Sequence, residues 1–256
     1  RTGVSTASLF GRYDTEDTLP VLRQMGVQIA EVSLSTFSEY EPAFAERLAA
    51  LKGNMQIHSV HALTTQFEPQ LFNVSARVRA DAEAIFRKVL TCGKILGAKY
   101  YTFHGPMQLK AIRYNLDYDK IAATVNRLTA IAAEYGIRLS YENVHWCYFS
   151  YPQFFAELKT RCPELGATLD IKQARQSGAD VYEYLDVMAD RLTTVHICDC
   201  VGVETALPGK GEFDFSRFIG ELKKHNVTAP LLVEAYSKDF AALSELQDAY
   251  EYITRL

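Results

Sequence analysis

The chain has no run of about 18 or more apolar residues, so nothing in it reads as a membrane-spanning helix. It also lacks a basic excess: 27 Lys and Arg stand against 31 Asp and Glu, a net charge of −4. That argues against nucleic acid as the main partner. The basic-then-apolar pattern of a secretory signal is missing from the N-terminus. Five cysteines, an odd number without framework spacing, exclude a disulfide scaffold. They read as free thiols in a reducing compartment, which places the protein in the cytoplasm. No linker or low-complexity tract marks a domain boundary, and residues 1–256 read as a single domain. What the chain does have is apolar content, 48% of 256 residues, enough for a large core. The length matches the roughly 250 residues of a closed barrel of eight strand–helix units.

Hydrophobic period and punctuation repeat one unit eight times. Strands are expected at Gly3–Leu9, Ile29–Ser33, Met55–Ala62, Lys99–His104, Ile137–Glu142, Gly166–Asp170, Leu192–Cys198 and Pro230–Glu234. Helices are expected from Asp14 to Met25, Pro42 to Leu51, Ser75 to Leu96, Tyr118 to Tyr135, Pro152 to Arg161, Ala179 to Arg191, Phe215 to His225 and from Asp239 onward. Gly97 and Gly136 act as helix stops. Strict alternation argues for a parallel sheet with helices outside it. The fold class is therefore α/β, a single (β/α)₈ TIM barrel. A doubly wound sheet is the alternative, and the first strand–helix turn lacks the Gly-rich fingerprint that would favour it.

Side chains on a barrel strand point alternately to the lumen and to the helices. With apolar residues facing the helices, the inward positions become Ser59 and His61, Thr102 and His104, Ser140 and Glu142, Thr168 and Asp170, Thr194 and His196, and Leu232 and Glu234. Six strands thus end on an inward ionisable residue, at the C-terminal mouth where such barrels keep their active sites. Several buried carboxylates converging on one rim need a cation. Glu142, Asp170, His196 and Glu234 form an oxygen- and nitrogen-rich ligand set for one divalent metal ion. Without thiolate it suits Mn, Mg, Co or Zn, with manganese or zinc favoured.

Several short segments then carry a family resemblance across essentially the whole chain: Val60-His61-Ala62, Phe103-His104-Gly105, Tyr141-Glu142-Asn143, Thr168-Leu169-Asp170, Val195-His196-Ile197, Pro208 to Asp214, and Leu232-Val233-Glu234. In order and placement they resemble the xylose-isomerase-like barrel superfamily, which holds sugar isomerases and epimerases, inosose dehydratases and apurinic endonucleases. The resemblance implies that Glu142, Asp170, His196 and Glu234 bind the metal. It also implies that Glu142 and Glu234 act as the two catalytic acid–base groups beside a metal-stabilised enediolate. Two positions depart from the pattern. Gln173 stands where several families have a histidine three residues after the strand-six Asp, and Gly202 stands where the epimerases have an arginine. The missing histidine at Gln173 also counts against an endonuclease. His61 and His104 match that group's first-metal histidines, yet contact with substrate is the preferred reading of them.

Substrate contacts are expected from His61, His104, His145, Trp146, Gln173 and Lys210. Trp146 is either an apolar wall for a sugar ring or a loop residue packed on Tyr148, Phe149 and Tyr151. Asn143 is placed to orient Glu142. Cys198 and Cys200 read as small residues at a crowded mouth, and Asp199 as a group that supports the site or caps its loop. Gly209-Lys210-Gly211, Lys172 and Arg175 are candidates for meeting an anion, with solvent the simpler environment for the charges. The function expected is metal-dependent isomerisation or epimerisation of a small polyhydroxylated substrate, free or phosphorylated. An inosose-type dehydratase is the nearest alternative, and a metal-retaining carbohydrate-binding or subunit protein the next. No nucleic acid or membrane partner is expected, and a homo-oligomer is allowed.

Overall fold

Runs of β-branched and aromatic residues separated by amphipathic helices leave each strand with one face for the helices and one for the lumen. In the computed structural model, which describes residues 1–62, 67–108, 115–202 and 204–256, this alternation closes into a barrel. The barrel strands are β1 (Thr2–Ser5), β2 (Ile29–Leu34), β3 (Gln56–Ala62), β4 (Tyr100–Phe103), β5 (Arg138–Glu142), β6 (Gly166–Asp170), β7 (Leu192–Ile197) and β10 (Leu231–Val233). Every neighbouring pair is parallel, and β1 pairs with both β2 and β10 to complete the circle.

Outside lie α1 (Thr15–Gln24), α2 (Pro42–Leu51), α3 (Ala76–Leu96), α4 (Tyr118–Glu134), α5 (Pro152–Arg161), α7 (Val181–Met188), α8 (Phe215–Lys224) and α9 (Leu243–Arg255). Pro42 and Pro152 open their helices, where a missing N–H costs nothing. Gly97 ends α3 in a left-handed conformation, φ +79°, that a side chain would resist. Between strands and helices sits one continuous apolar layer, including Val60, Phe86, Tyr101, Leu139, Tyr141, Phe155 and Val195. Among the described residues, no helix is long and apolar enough to cross a membrane.

Four local features depart from the sequence expectation. β1 stops at Ser5, because Ser5 Oγ accepts from the Ala7 N–H and starts a 3₁₀ turn over Thr6–Leu9. A short helix, α6 (Ile171–Gln176), follows β6 with no intervening loop. The segment after β7 folds into a hairpin of β8 (Asp199–Val201) and β9 (Glu204–Ala206). Finally, α9 begins at Leu243 rather than near Asp239, where Glu245 Oε2 accepts from the Ala241 and Ala242 N–H groups.

Two bulges face each other across the lumen. Ala30 pairs with Ile57 and Glu31 with Ser59, which leaves His58 as an extra residue in β3. Ala167 pairs with Leu192 and Thr168 with Thr194, which leaves Thr193 extra in β7. His58 Nε2 donates to the Thr193 carbonyl oxygen at 3.0 Å, so the two irregularities are joined.

Candidate metal centre and the mouth of the barrel

The inward phase of β5, β6, β7 and β10 delivers four ligand groups to one place. Ligand atoms of Glu142, Asp170, His196 and Glu234 all lie within 4.8 Å of one another, and all four residues are buried. His196 Nδ1 is 3.0 Å from Glu142 Oε1 and 2.5 Å from Glu234 Oε2. Its contact with Glu234 is close but not aligned as a hydrogen bond, and Glu234 Oε2 is buried without a hydrogen-bond partner. Asp170 Oδ1 accepts from the Gln173 N–H at 2.8 Å and so caps α6.

Electrostatics record the crowding. Burial raises the Asp170 carboxyl to about 7, against the pull of Lys172 and with the push of Glu142 and Glu234. For Glu142, burial is outweighed by His196 and His104, which hold it well below the usual carboxylate range. Glu234 is lowered too, because His196 and Lys172 overcome its burial. His196 is driven well above the ordinary imidazole range, its burial overridden by Glu234, Glu31 and Glu142. A set of three buried carboxylates on one imidazole, with an orphaned oxygen, fits a divalent cation.

Beneath His196 lies a group that the reading of strand ends passed over. Glu31, in the middle of β2, is completely buried and accepts from Ser5 Oγ at 3.2 Å, Ser59 Oγ at 2.7 Å and Thr102 Oγ1 at 2.6 Å. His196 Nε2 sits 3.0 Å from Glu31 Oε1, at ion-pair distance though off the line of a ring N–H. Burial opposes ionisation of Glu31, but His196, His61 and Thr102 hold it below the usual range. A carboxylate behind a ligating imidazole fixes the ring's orientation and raises its basicity. The alternating phase that found Glu142 also points Glu31 inward. It escaped notice because it lies mid-strand.

His61 and His104 form the other wall. The His61 Nδ1–H donates to the Thr102 carbonyl oxygen at 2.9 Å, which leaves Nε2 as the basic nitrogen. His104 Nε2 is 2.9 Å from Glu142 Oε2, while its Nδ1 is buried without a partner. Burial would lower His104, yet Glu142 raises it on balance. Ligand atoms of His61, His104 and Glu142 also lie within 4.8 Å of one another, so Glu142 is common to both clusters. Glu68, at the start of a 3₁₀ turn (Glu68–Phe72), supports this wall. It accepts from Tyr101 Oη at 2.8 Å and from the His104 N–H at 2.9 Å. No local pattern in the sequence marked it.

The remaining expected residues separate. Trp146 is partly exposed and stands edge-on to His104, ring centroids 5.4 Å apart, at the mouth. Phe149 instead joins the buried stack of Phe154 and Phe155. His145 is exposed, and its N–H and Nδ1 both approach Gln173 Oε1, at 3.2 Å and 2.6 Å. Gln173 thereby ties the loop after β5 to α6. Asn143 does not turn to Glu142. Its amide exchanges two hydrogen bonds with the Asp170 main chain, at 2.9 Å and 2.7 Å, and locks the ends of β5 and β6 together.

Asp199 caps its own loop: its oxygens accept from the N–H groups of Cys200, Gly209, Gly211 and Phe213. A Cβ on Gly211 would lie 2.3 Å from Asp199 Oδ1, so glycine is required there. Those N–H groups are thus taken, which removes them as a phosphate cradle. Lys210 is exposed and acts on Glu245 near the start of α9; it is not in the wall of the cavity beside Asp170. The five cysteines are free and buried.

Comparison with solved structures returns the same architecture at low identity. A D-tagatose 3-epimerase-like protein is 19% identical with a TM-score of 0.79, over 100% of this chain and 98% of that one. The IolI protein with a binding zinc atom is 18% identical with a TM-score of 0.79, over 99% and 96%. The probable 3-DHS dehydratase AsbF of Bacillus anthracis is 12% identical with a TM-score of 0.80, over 99% and 98%. No curated protein matches the chain. A family model described as xylose isomerase-like TIM barrel matches residues 19–256, and the chain belongs to that family.

Proposed function

We propose that the protein is a divalent-metal-dependent enzyme that isomerises or epimerises a small polyhydroxylated carbonyl compound by proton transfer next to the carbonyl. The observation that carries this reading is the convergence of Glu142, Asp170, His196 and Glu234 within 4.8 Å, with one Glu234 oxygen left without a hydrogen bond. These four residues would hold the cation, which supplies Lewis-acid polarisation of the substrate's oxygens. Glu142 and Glu234 flank His196 from different strands, so a substrate over the cation would meet a carboxylate from either side. One would remove the proton and the other return one, as general base and acid. His104, hydrogen-bonded to Glu142, would steady that carboxylate, and Trp146 would shield the sugar's apolar face. The epimerase and zinc-binding neighbours support the choice of chemistry, and the dehydratase neighbour keeps loss of a hydroxyl as the second reading.

The test is deuterium incorporation from D₂O into ketoses, inososes and their phosphates with manganese or zinc supplied. Glu142→Gln and Glu234→Gln are expected to lose about 10²–10⁴ in exchange rate while metal is assayed alongside. Metal-loaded variants that exchange at the wild-type rate would reduce both glutamates to ligands. An abasic-site duplex is expected to survive intact, and Glu142-dependent nicking would reverse the assignment.

A further inference from the structure

One cation at the mouth is unused by this proton-transfer reading. Lys172 lies on α6 two residues after Asp170, with its side chain only 4% exposed. Its Nζ is 3.5 Å from Asp170 Oδ2 and 4.5 Å from the centre of the Tyr236 ring, and it makes no hydrogen bond among the described residues. The gap to Asp170 exceeds hydrogen-bond length, and the other Asp170 oxygen is taken by the Gln173 N–H. An ammonium has three donors, and one ion pair at this distance together with a ring face leaves it hydrogen-bonding capacity for a ligand in the cavity.

The surroundings say what. Lys172 lines a cavity of about 340 Å³ together with His145, Arg175, Cys198 and Asp199. Arg175 is exposed and makes no hydrogen bond or ion pair among the described residues. Asp199, the acidic residue of that wall, spends both oxygens on four backbone N–H groups. The cavity therefore presents two positive groups in a wall whose own carboxylate is committed elsewhere, and Lys172 links that wall to Asp170.

We propose that Lys172 and Arg175 bind an oxyanion on the substrate, a carboxylate in preference to a phosphate, at the end away from the reacting carbon. The main-chain N–H donors that often complete a phosphate site are, in the loop after β7, already committed to Asp199. Arg175 offers the planar fork that matches a carboxylate, and Lys172 adds a point charge. This assignment rests on the reading of the four-residue cluster as the reacting centre. It turns the substrate class from a neutral sugar into a keto sugar acid.

Non-reactive probes test it without any turnover. Calorimetry of the metal-loaded protein would compare D-gluconate, D-glucitol 6-phosphate and D-glucitol. Gluconate is expected to bind at least about tenfold tighter than glucitol, the scale of one charge-assisted hydrogen bond. That preference should vanish in Arg175→Gln, which keeps full metal content, and in Lys172→Met. Equal binding of gluconate and glucitol overturns the proposal. A preference that survives in both variants also overturns it, because the carboxylate would then be held by the metal alone. Tighter binding of the phosphate ester than of gluconate overturns the preference for a carboxylate. If gluconate behaves as expected while no ketose, including 5-keto-D-gluconate, exchanges with D₂O, only the proton-transfer reading falls.

Discussion

Glu31 and Glu234 are both buried glutamates on barrel strands, and both lie against the same imidazole, on opposite ring nitrogens. Their surroundings differ in one respect. Glu31 has hydroxyl donors from β1, β3 and β4 in place, whereas Glu234 keeps an oxygen with no hydrogen-bond partner. The floor of the lumen is thus satisfied by the chain itself, while the rim keeps an acceptor open that the proposed cation would fill. Buried charge alone does not mark a functional site. A buried charge without its full set of partners does.

The contrast can be broken most sharply at the rim. Chelation of the purified protein, or Glu234→Gln, should abolish tight binding of roughly one divalent ion per chain, with a lower melting temperature, since binding to the folded state alone stabilises by mass action. Elemental analysis and thermal melts with and without chelator check this. Full metal occupancy in a protein lacking both Asp170 and Glu234 carboxylates would sink the assignment.

Glu31 probes the floor. Glu31→Ala strands three hydroxyls and an imidazole, and should cost about 3–5 kcal/mol in denaturant melts, as loss of one partner of a buried pair does. Glu31→Gln keeps the shape and two of the roles, so its main effect should be a 10–100-fold weaker metal affinity. Equal metal affinity in Glu31→Gln and wild type would separate floor from rim altogether. A smaller effect is expected at Asn143, which bridges β5 to β6 through the Asp170 main chain. Asn143→Ala should destabilise by about 1–3 kcal/mol, the penalty for buried groups left unpaired. Hydrogen exchange at the Asp170 amide would report the loosening.

The smallest effect belongs to His58, at the joined bulges. Burial is the largest influence on it and lowers its pKa, outweighing the help of Thr193 and Glu31; Arg1 and His196 push the same way as burial. The folded state then prefers the neutral ring, while an unfolded histidine titrates near 6.5, so the unfolded chain binds more protons below that pH. Stability should therefore fall as pH drops through about 6.5, by no more than about 1.4 kcal/mol per pH unit from this group. His58→Gln should flatten that part of the profile relative to wild type, and an unchanged difference between the two melts would exclude it.

How much of this was legible in the sequence follows the same division. The period of two on apolar strands located Glu142, Asp170 and His196, because a small polar residue two positions earlier marks the inward face, while Glu234 followed from its place at the end of an apolar run. The same period contains Glu31, but only the closed barrel shows that residues of β1, β3, β4 and β7 converge on it. Lys172 stood out as a candidate for an anion, but its burial was hidden by α6: Asp170 serves as both strand end and helix cap, so no loop residues announce a new element. The hairpin β8–β9 escaped for a related reason, since three-residue strands carry too little alternation to stand out. Lys210 and the two glycines around it suggested an anion site by composition, and the loop does hold an anion, its own Asp199.

That self-supplied carboxylate affects timing as much as shape. Many enzymes close a loop over their site only when ligand arrives, and turnover then waits on that motion. Here Pro208 to Phe213 is organised from within, around Asp199, and the entropy of ordering it is lost once, during folding. Association with ligand would then be limited by encounter and desolvation at the mouth rather than by loop rearrangement. The amides of Gly209, Gly211 and Phe213 should accordingly exchange with solvent at the same slow rate whether the cavity is filled or empty.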